Sequence, residues 1–257
     1  MAGYVPHDSW QYRGEFYDED YSSSSEYESG EYEEYYEEYY EDQDDEDSSS
    51  SCEDEEEEEE IYILDEILDK YLPQTWSDVD DYSQAELVEL HRHSTEFIDV
   101  VDQIRSTLNV RIHRVERVQN PFLWGSYLLM KGEYKKRLNN HPTEMVLFHA
   151  TSENNVRSIA ENNFNWRRTV RSKFGKGVSF SPSAKYANKY CNMKVGSNRA
   201  LILSRVLVGK IQNGSSQRKI SDDGYDTSIG NGKSVYVKYG DNEYYPEYVA
   251  YYRYNQY

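Results

Sequence analysis

Aliphatic residues are nearly absent from the first sixty positions and become periodic from Ile61 onward. Ile61, Ile63, Leu64, Ile67, Leu68, Tyr71 and Leu72 recur at the spacing of one helix face, and Pro73 stops the run. Ser83-x-x-Glu86 has the form of a capping box and predicts a helix running through Leu87 and Leu90. Between Val110 and Val118 apolar and polar residues alternate, the pattern of a half-buried strand. Its outward face carries Arg111, His113 or Arg114, and Arg117. Asn120-Pro121 ends that strand, and Phe122, Leu123, Tyr127, Leu128, Tyr134 and Leu138 follow in a surface helix.

The second half is punctuated more closely. Glu144 to Phe148 predicts a short strand, and Ser152 to Glu161 a helix capped by Thr151 or Ser152. Pro182 opens a helix from Ser183 to Tyr190, since proline fits the first turn. Ala200 to Val208 is the clearest strand, and the Gly-, Ser- and Asp-rich stretch from Gly209 to Gly232 reads as a loop. Strands Ser234 to Tyr239 and Tyr245 to Tyr251 flank the turn at Gly240-Asp241-Asn242. Short strands mixed with brief helices predict an α+β fold. Within it, Leu147-Phe148-His149-Ala150-Thr151-Ser152 delivers a histidine into a turn. Phe174-Gly175-Lys176-Gly177 then opens a second apolar run through Ser181, so two strand ends converge on one cleft.

Charge divides the chain. The formal charge is -20, yet residues 1–60 hold 26 Asp and Glu against the single Arg13. The boundary therefore falls at a disordered acidic tail, 1–60, and a mildly basic folded domain, 61–257. The tail's ten Tyr and several Ser are candidate modification sites. A bland reading makes it a solubilising segment; a sharper one makes it a ligand for basic nuclear proteins or for the basic face of the same chain. Its charge disfavours nucleic acid. Two Cys, Cys52 and Cys191, make no disulfide framework, and no apolar run has membrane length. The expected setting is the nucleus or cytoplasm. His91, His93, Glu89 and Glu96 read as a solvated helix face, no zinc spacing occurs, and no metal is expected.

The two cleft motifs resemble the NAD-binding signature of the poly(ADP-ribose) polymerase family, in particular its mono-ADP-ribosyltransferase branch. The resemblance spans roughly residues 72–252. It takes in Val115 to Trp124, Arg205-Val-Leu-Val-Gly209, Tyr225-Asp226-Thr227, Ser234-Val-Tyr-Val and Tyr245-Pro-Glu-Tyr-Val249. It implies a split antiparallel sheet core with flanking helices and transfer of ADP-ribose from NAD to protein acceptors, the chain's own acidic tail among them. It also implies roles for single residues. His149, Ser179 and Val235 stand at the catalytic triad positions. His149, Ala150, Thr151, Gly177, Ser179, Tyr186, Ala187 and Tyr190 stand at the NAD-binding positions, with Tyr190 stacking on the nicotinamide.

Several positions depart from the family pattern. Ala150 replaces a Gly whose backbone clamps the nicotinamide amide, which Ala tolerates only at negative φ. Ser179 replaces a Tyr, leaving Phe174 or Tyr186 to supply the aromatic wall. Ala187 replaces a Ser that bonds the amide. Val235 stands where polymerising members carry Glu, so single-unit transfer is expected; Glu247 belongs to the following strand motif. The alternatives are a pseudoenzyme acting as an interaction module, and a binding protein whose function lies in the tail.

Overall fold

Strand β5 (Asn198–Val208) explains the clearest apolar run, because both of its faces are covered. Ala200 and Ile202 pack to one side and Leu201 and Leu203 to the other, the condition under which a strand loses its alternation. In this computed structural model the described residues are 70–77, 85–138, 143–170, 172–191 and 197–254, without the side chain of Tyr190. All belong to the second of two units into which the chain divides, residues 49–257. The acidic tail and most of the helix expected from Ile61 lie outside the described residues; Lys70 and Tyr71 are helical.

Five antiparallel strands form the first sheet in the order β1 (Glu86–Glu89), β2 (Ile112–Gln119), β9 (Tyr244–Arg253), β5 and β3 (Thr143–Ser152). The second sheet has the order β4 (Val178–Phe180), β8 (Val235–Lys238), β7 (Thr227–Gly230) and β6 (Ile211–Asn213), with only β6 and β7 parallel. Helices α1 (Thr95–Arg105), α2 (Pro121–Arg137), α3 (Val156–Asn162) and α4 (Ala184–Tyr190) flank them. The architecture is α+β, with the split antiparallel core that the resemblance implies. Among the described residues no helix is long and apolar enough to cross a membrane.

Capping side chains fix the helix starts. The Ser94 hydroxyl accepts from the Phe97 amide at α1, and Ser183 from the Tyr186 amide at α4. At α2 the Asn120 side chain accepts from Leu123, while its own amide donates to the Ala160 carbonyl and so ties α2 to α3. Val100, Val101 and Ile104 of α1 pack over Leu203, Ala250 and Tyr252 on one sheet face. Leu147, Phe180, Ile202, Tyr236 and Tyr244 fill the space between the sheets.

Three expectations are corrected. Glu86–Glu89 is a strand, not a helix: Leu87 pairs with Val118 and Val88 with Arg117, and this edge pairing overrides local propensity. The helix begins later, behind Ser94. The stretch from Gly209 to Gly232 contains β6 and β7, each too short for periodicity to reveal. Arg117 is buried, held by Glu96 at 2.7 Å and the Gln119 side-chain oxygen at 2.9 Å, because α1 covers that part of β2.

Lys238 joins the second sheet to α2. It is 0 % exposed, and its ammonium donates to Thr227 Oγ1 (2.9 Å), Tyr134 Oη (3.1 Å) and Asp226 Oδ1 (3.2 Å), with Glu243 at 3.4 Å. Asp226 also accepts from the Gly209 and Lys210 amides. Burial alone would raise the Asp226 carboxyl, but Lys238, Thr227 and the two amides outweigh it and hold its pKa below the usual value. Removing the cation would leave two buried carboxylates without it. Lys238→Ala is therefore expected to cost about 3–5 kcal/mol in urea-denaturation stability. A loss under about 1 kcal/mol would contradict this network's role.

Candidate active site

The two sheets meet through backbone alone. The Phe148 amide donates to the Ser181 carbonyl (2.7 Å), and the Ser181 amide donates back to Phe148 (2.9 Å). In an antiparallel strand both polar groups of a residue point the same way, and the direction alternates along the chain. Phe148 thus faces β4, His149 faces Ile202 in β5, and Ala150 faces the β4 side again. No partner strand continues there among the described residues, so the N–H and C=O of Ala150 look into open space. That space is a cavity of about 170 Å³, bordered by Phe148, His149, Ala150, Lys173, Phe174, Ser179 to Ser181, Tyr186, Ala187 and Val235.

Ala150 has regular strand backbone and is absent from the positive-φ positions. Its methyl points to the apolar cluster beneath α1, as does that of Ala187. Nothing in this geometry demands glycine.

His149 lies between Ser179 and two phenyl rings. Its Nδ1 is 2.9 Å from the Ser179 carbonyl. A carbonyl only accepts, so Nδ1 carries the proton and Nε2 is left as an acceptor. The ring meets Phe164 edge-on at 5.0 Å and Phe180 at 6.0 Å. Burial holds the imidazole pKa below its ordinary 6.5, and the Ser179 carbonyl opposes this less strongly.

Ser179 is the exposed residue of β4, between buried Val178 and Phe180. It pairs with Val237, and Val235 shares that face two residues along β8, 5 % exposed. Glu247 is elsewhere, ion-paired with Arg205 at 2.6 Å on β9. The aromatic lining near Ser179 comes from Phe174 and Tyr186, which pack beside Val235 and Val237. Asn231 donates its side-chain amide to the Tyr186 hydroxyl, linking α4 to the β7–β8 turn. Helix α4 is further fixed by Asn188, whose Oδ1 accepts from Arg199 (2.8 Å) and Tyr252 (2.7 Å).

The Gly-x-Gly turn has a steric cause. At φ +128° Gly175 lies against Tyr239, where a Cβ would approach the hydroxyl to 1.8 Å; at Gly177 a Cβ would come within 2.2 Å of the Lys238 carbonyl. Gly177 thus lets β4 close on β8 and does not border the cavity. Nor does Thr151, a buried residue whose hydroxyl accepts from Asn155 at 2.9 Å. Tyr190 ends α4, and its side chain lies outside the described residues.

The basic face is not one patch: Arg114 pairs with Glu116, Arg117 is buried, and Arg167 pairs with Asp241. His91 and His93 lie in the turn before α1 rather than on a helix. Among the described residues no group of three or more His, Cys, Asp or Glu could hold a metal ion. The pattern of the sequence does not mark Phe164, Asn188 or Asn231, whose parts in the site depend on long-range contacts.

Comparison with known proteins points the same way. A family model of the poly(ADP-ribose) polymerase catalytic domain matches residues 94–250. The chain is 30 % identical over 210 residues to protein mono-ADP-ribosyltransferase PARP11 of Homo sapiens, covering 69 % of this chain and 62 % of that protein. The Mus musculus protein of the same name also matches at 30 %, with 63 % of its length covered. Protein mono-ADP-ribosyltransferase PARP12 of Homo sapiens is 32 % identical over 153 residues, which are 55 % of this chain and 22 % of that one. The chain thus spans about three fifths of the PARP11 relatives it matches. With the domain model covering most of the described fold and the cleft built from the motifs it contains, this chain belongs to the poly(ADP-ribose) polymerase catalytic-domain family.

Proposed function

We propose that the chain is an NAD-dependent ADP-ribosyltransferase that adds single ADP-ribose units to protein side chains and releases nicotinamide. One observation carries this reading: His149, whose Nδ1 is committed to the Ser179 carbonyl, and Ala150, at the open backbone edge, border one cavity, which Val235 also borders. The names of the matched relatives support it.

In the proposed reaction the bond between the nicotinamide nitrogen and ribose C1′ breaks. Its electron pair leaves with the ring, neutralising the pyridinium. The acceptor side chain forms the new bond to C1′ and gives up a proton. The ribose passes through an oxocarbenium-like state and the leaving group is already good, so the protein's work is positioning. Nε2 of His149 accepts from a ribose hydroxyl, while Ala150 N–H and C=O bond the nicotinamide amide. Tyr186 and Phe174 give the aromatic surface that Ser179 lacks. The cavity, at about 170 Å³, is smaller than the roughly 300–1,000 Å³ of sites that enclose a whole drug-sized ligand. It suits the ring end of the dinucleotide, with the remainder lying outside it. Ala187 offers no hydroxyl, a loss of about 1 kcal/mol that weakens binding without abolishing it.

Chain elongation needs a base on the hydroxyl of an attached ribose, and the valine at 235 has none to give. Acidic side chains of residues 1–60 are acceptors in cis under this proposal, and basic nuclear proteins are partners for that segment.

Incubation of the full chain with labelled NAD, read by mass, is expected to show single ADP-ribose units on each modified residue. His149→Ala is expected to lower kcat/KM by about 10- to 100-fold, the worth of a hydrogen bond in a desolvated site. Polymers on the wild-type chain, or an undiminished His149→Ala variant, would refute the assignment.

The depressed His149 pKa sets the pH response. The unfolded chain takes up its proton near 6.5 and the folded one only lower. The contribution of this histidine to stability is therefore full above 6.5 and shrinks as the pH falls below it. NAD affinity should stay flat from pH 8 to 6.5 and decline only in more acid solution, where Nε2 becomes a donor. A decline centred above pH 7 would contradict a desolvated neutral imidazole.

A further inference from the structure

Among the described residues that border the cleft cavity, Lys173 is the only lysine or arginine, and no carboxylate stands with it. Its side chain is exposed, with Nζ 5.2 Å from the centre of the Phe174 ring. No hydrogen bond or ion pair ties that ammonium to another described residue. Cations on the neighbouring segments are already matched. Arg167 pairs with Asp241 at 2.8 Å, and Arg218 pairs with Asp222 at 2.7 Å.

The turn that carries Lys173 is fixed on both sides. The Ser172 hydroxyl donates to the Ser216 carbonyl (3.2 Å), the Gly175 amide closes the turn on the Ser172 carbonyl (3.2 Å), and the Lys176 amide donates to the Arg218 carbonyl (2.8 Å). Phe174 seats itself against two glycines. A Cβ at Gly230 would come within 2.3 Å of its ring, and one at Gly214 within 2.6 Å of its Cβ. The backbone of Lys173 is therefore held beside the cavity, while its ammonium stays in water on a flexible four-carbon stem.

We propose that Lys173 binds the diphosphate of NAD where the dinucleotide leaves the cavity, and so sets affinity for the whole dinucleotide but not for nicotinamide alone. The assignment rests on the cavity being the seat of the nicotinamide. What emerges from that seat is the ribose and then the diphosphate, the doubly negative part of the ligand. Lysine meets phosphate as a point charge and needs no fixed fork geometry, which suits a long side chain at a mouth. With no carboxylate on the lining, this single ammonium sets the sign of the local field.

The test titrates the full chain, by calorimetry, with two probes: nicotinamide alone, and an NAD analogue made unreactive by replacing the ribose ring oxygen with a methylene group. Lys173→Gln is expected to weaken binding of the analogue about 5- to 20-fold, the worth of a charged contact discounted for exposure. Nicotinamide affinity is expected to stay within about twofold. Lys173→Arg should restore the analogue to within about threefold of wild type. Raising NaCl from about 50 mM to about 500 mM should shrink the difference between wild type and Lys173→Gln to under about threefold, because an exposed pair is screened. Unchanged affinity of Lys173→Gln for the analogue, whatever happens to transfer onto an acceptor, would overturn the proposal. So would an equal loss for nicotinamide, which marks a distorted turn, or a difference indifferent to salt. A wild-type chain that binds neither probe refutes the underlying reading of the cavity and this assignment with it, a result distinct from the others.

Discussion

The reciprocal hydrogen bonds between Phe148 and Ser181 set the geometry on which the cleft depends. They join the edge of a five-stranded sheet to the first residue beyond a three-residue strand, then stop. Because backbone polarity alternates, the residue two further along must present its own N–H and C=O to the gap. The ten paired positions of β3 and β5, from Thr143 with Val208 to Ser152 with Arg199, lock this register. A slip by one residue would turn Ala150 toward β5 and His149 away from Ser179. In the proposed reaction this fixed edge holds the nicotinamide amide, and it explains how alanine can stand where the family pattern has glycine. The demand is for extended backbone, which any residue supplies.

Everything else in the cleft works around that edge. Phe164 and Phe180 exclude water from one side of the imidazole, and the Ser179 carbonyl selects the tautomer that leaves Nε2 as an acceptor. Among the described residues none bordering the cavity is a carboxylate. Such a lining suits a reaction whose leaving group departs without acid assistance, and it suits transfer that ends after one unit. Rigidity comes from beneath. Gly177 lets β4 lie close on β8, and the far end of β8 is fixed by the buried ammonium of Lys238 between Asp226, Thr227 and Tyr134. The Tyr225-Asp226-Thr227 motif therefore acts as support for the second sheet, at a distance from the cavity.

Much of this was legible in the sequence, for physical reasons that differ between elements. The alternation of Val110 to Val118 and the solid run of Ala200 to Val208 announced β2 and β5, and Pro182 announced α4, although it precedes the Ser183 cap and does not sit in the first turn. What failed was local reasoning about segments whose structure is set by distant partners. Glu86–Glu89 carries a helix-like cap signal yet becomes an edge strand on β2. Ile211–Asn213 and Thr227–Gly230 are too short to show a period and exist because they pair in sequence with β8. Arg117 alternates outward by pattern, but α1 folds over it and brings Glu96. The edge contact of Phe164 with His149 leaves no trace in the pattern at all.

A crystal structure of the chain bound to an unreactive NAD analogue tests the central claim most directly. The nicotinamide amide is expected to bond both the N–H and the C=O of Ala150 at about 2.9–3.0 Å, with a ribose hydroxyl donating to Nε2 of His149. A dinucleotide seated elsewhere on the domain, or one whose nicotinamide leaves the Ala150 backbone unpaired, would contradict it.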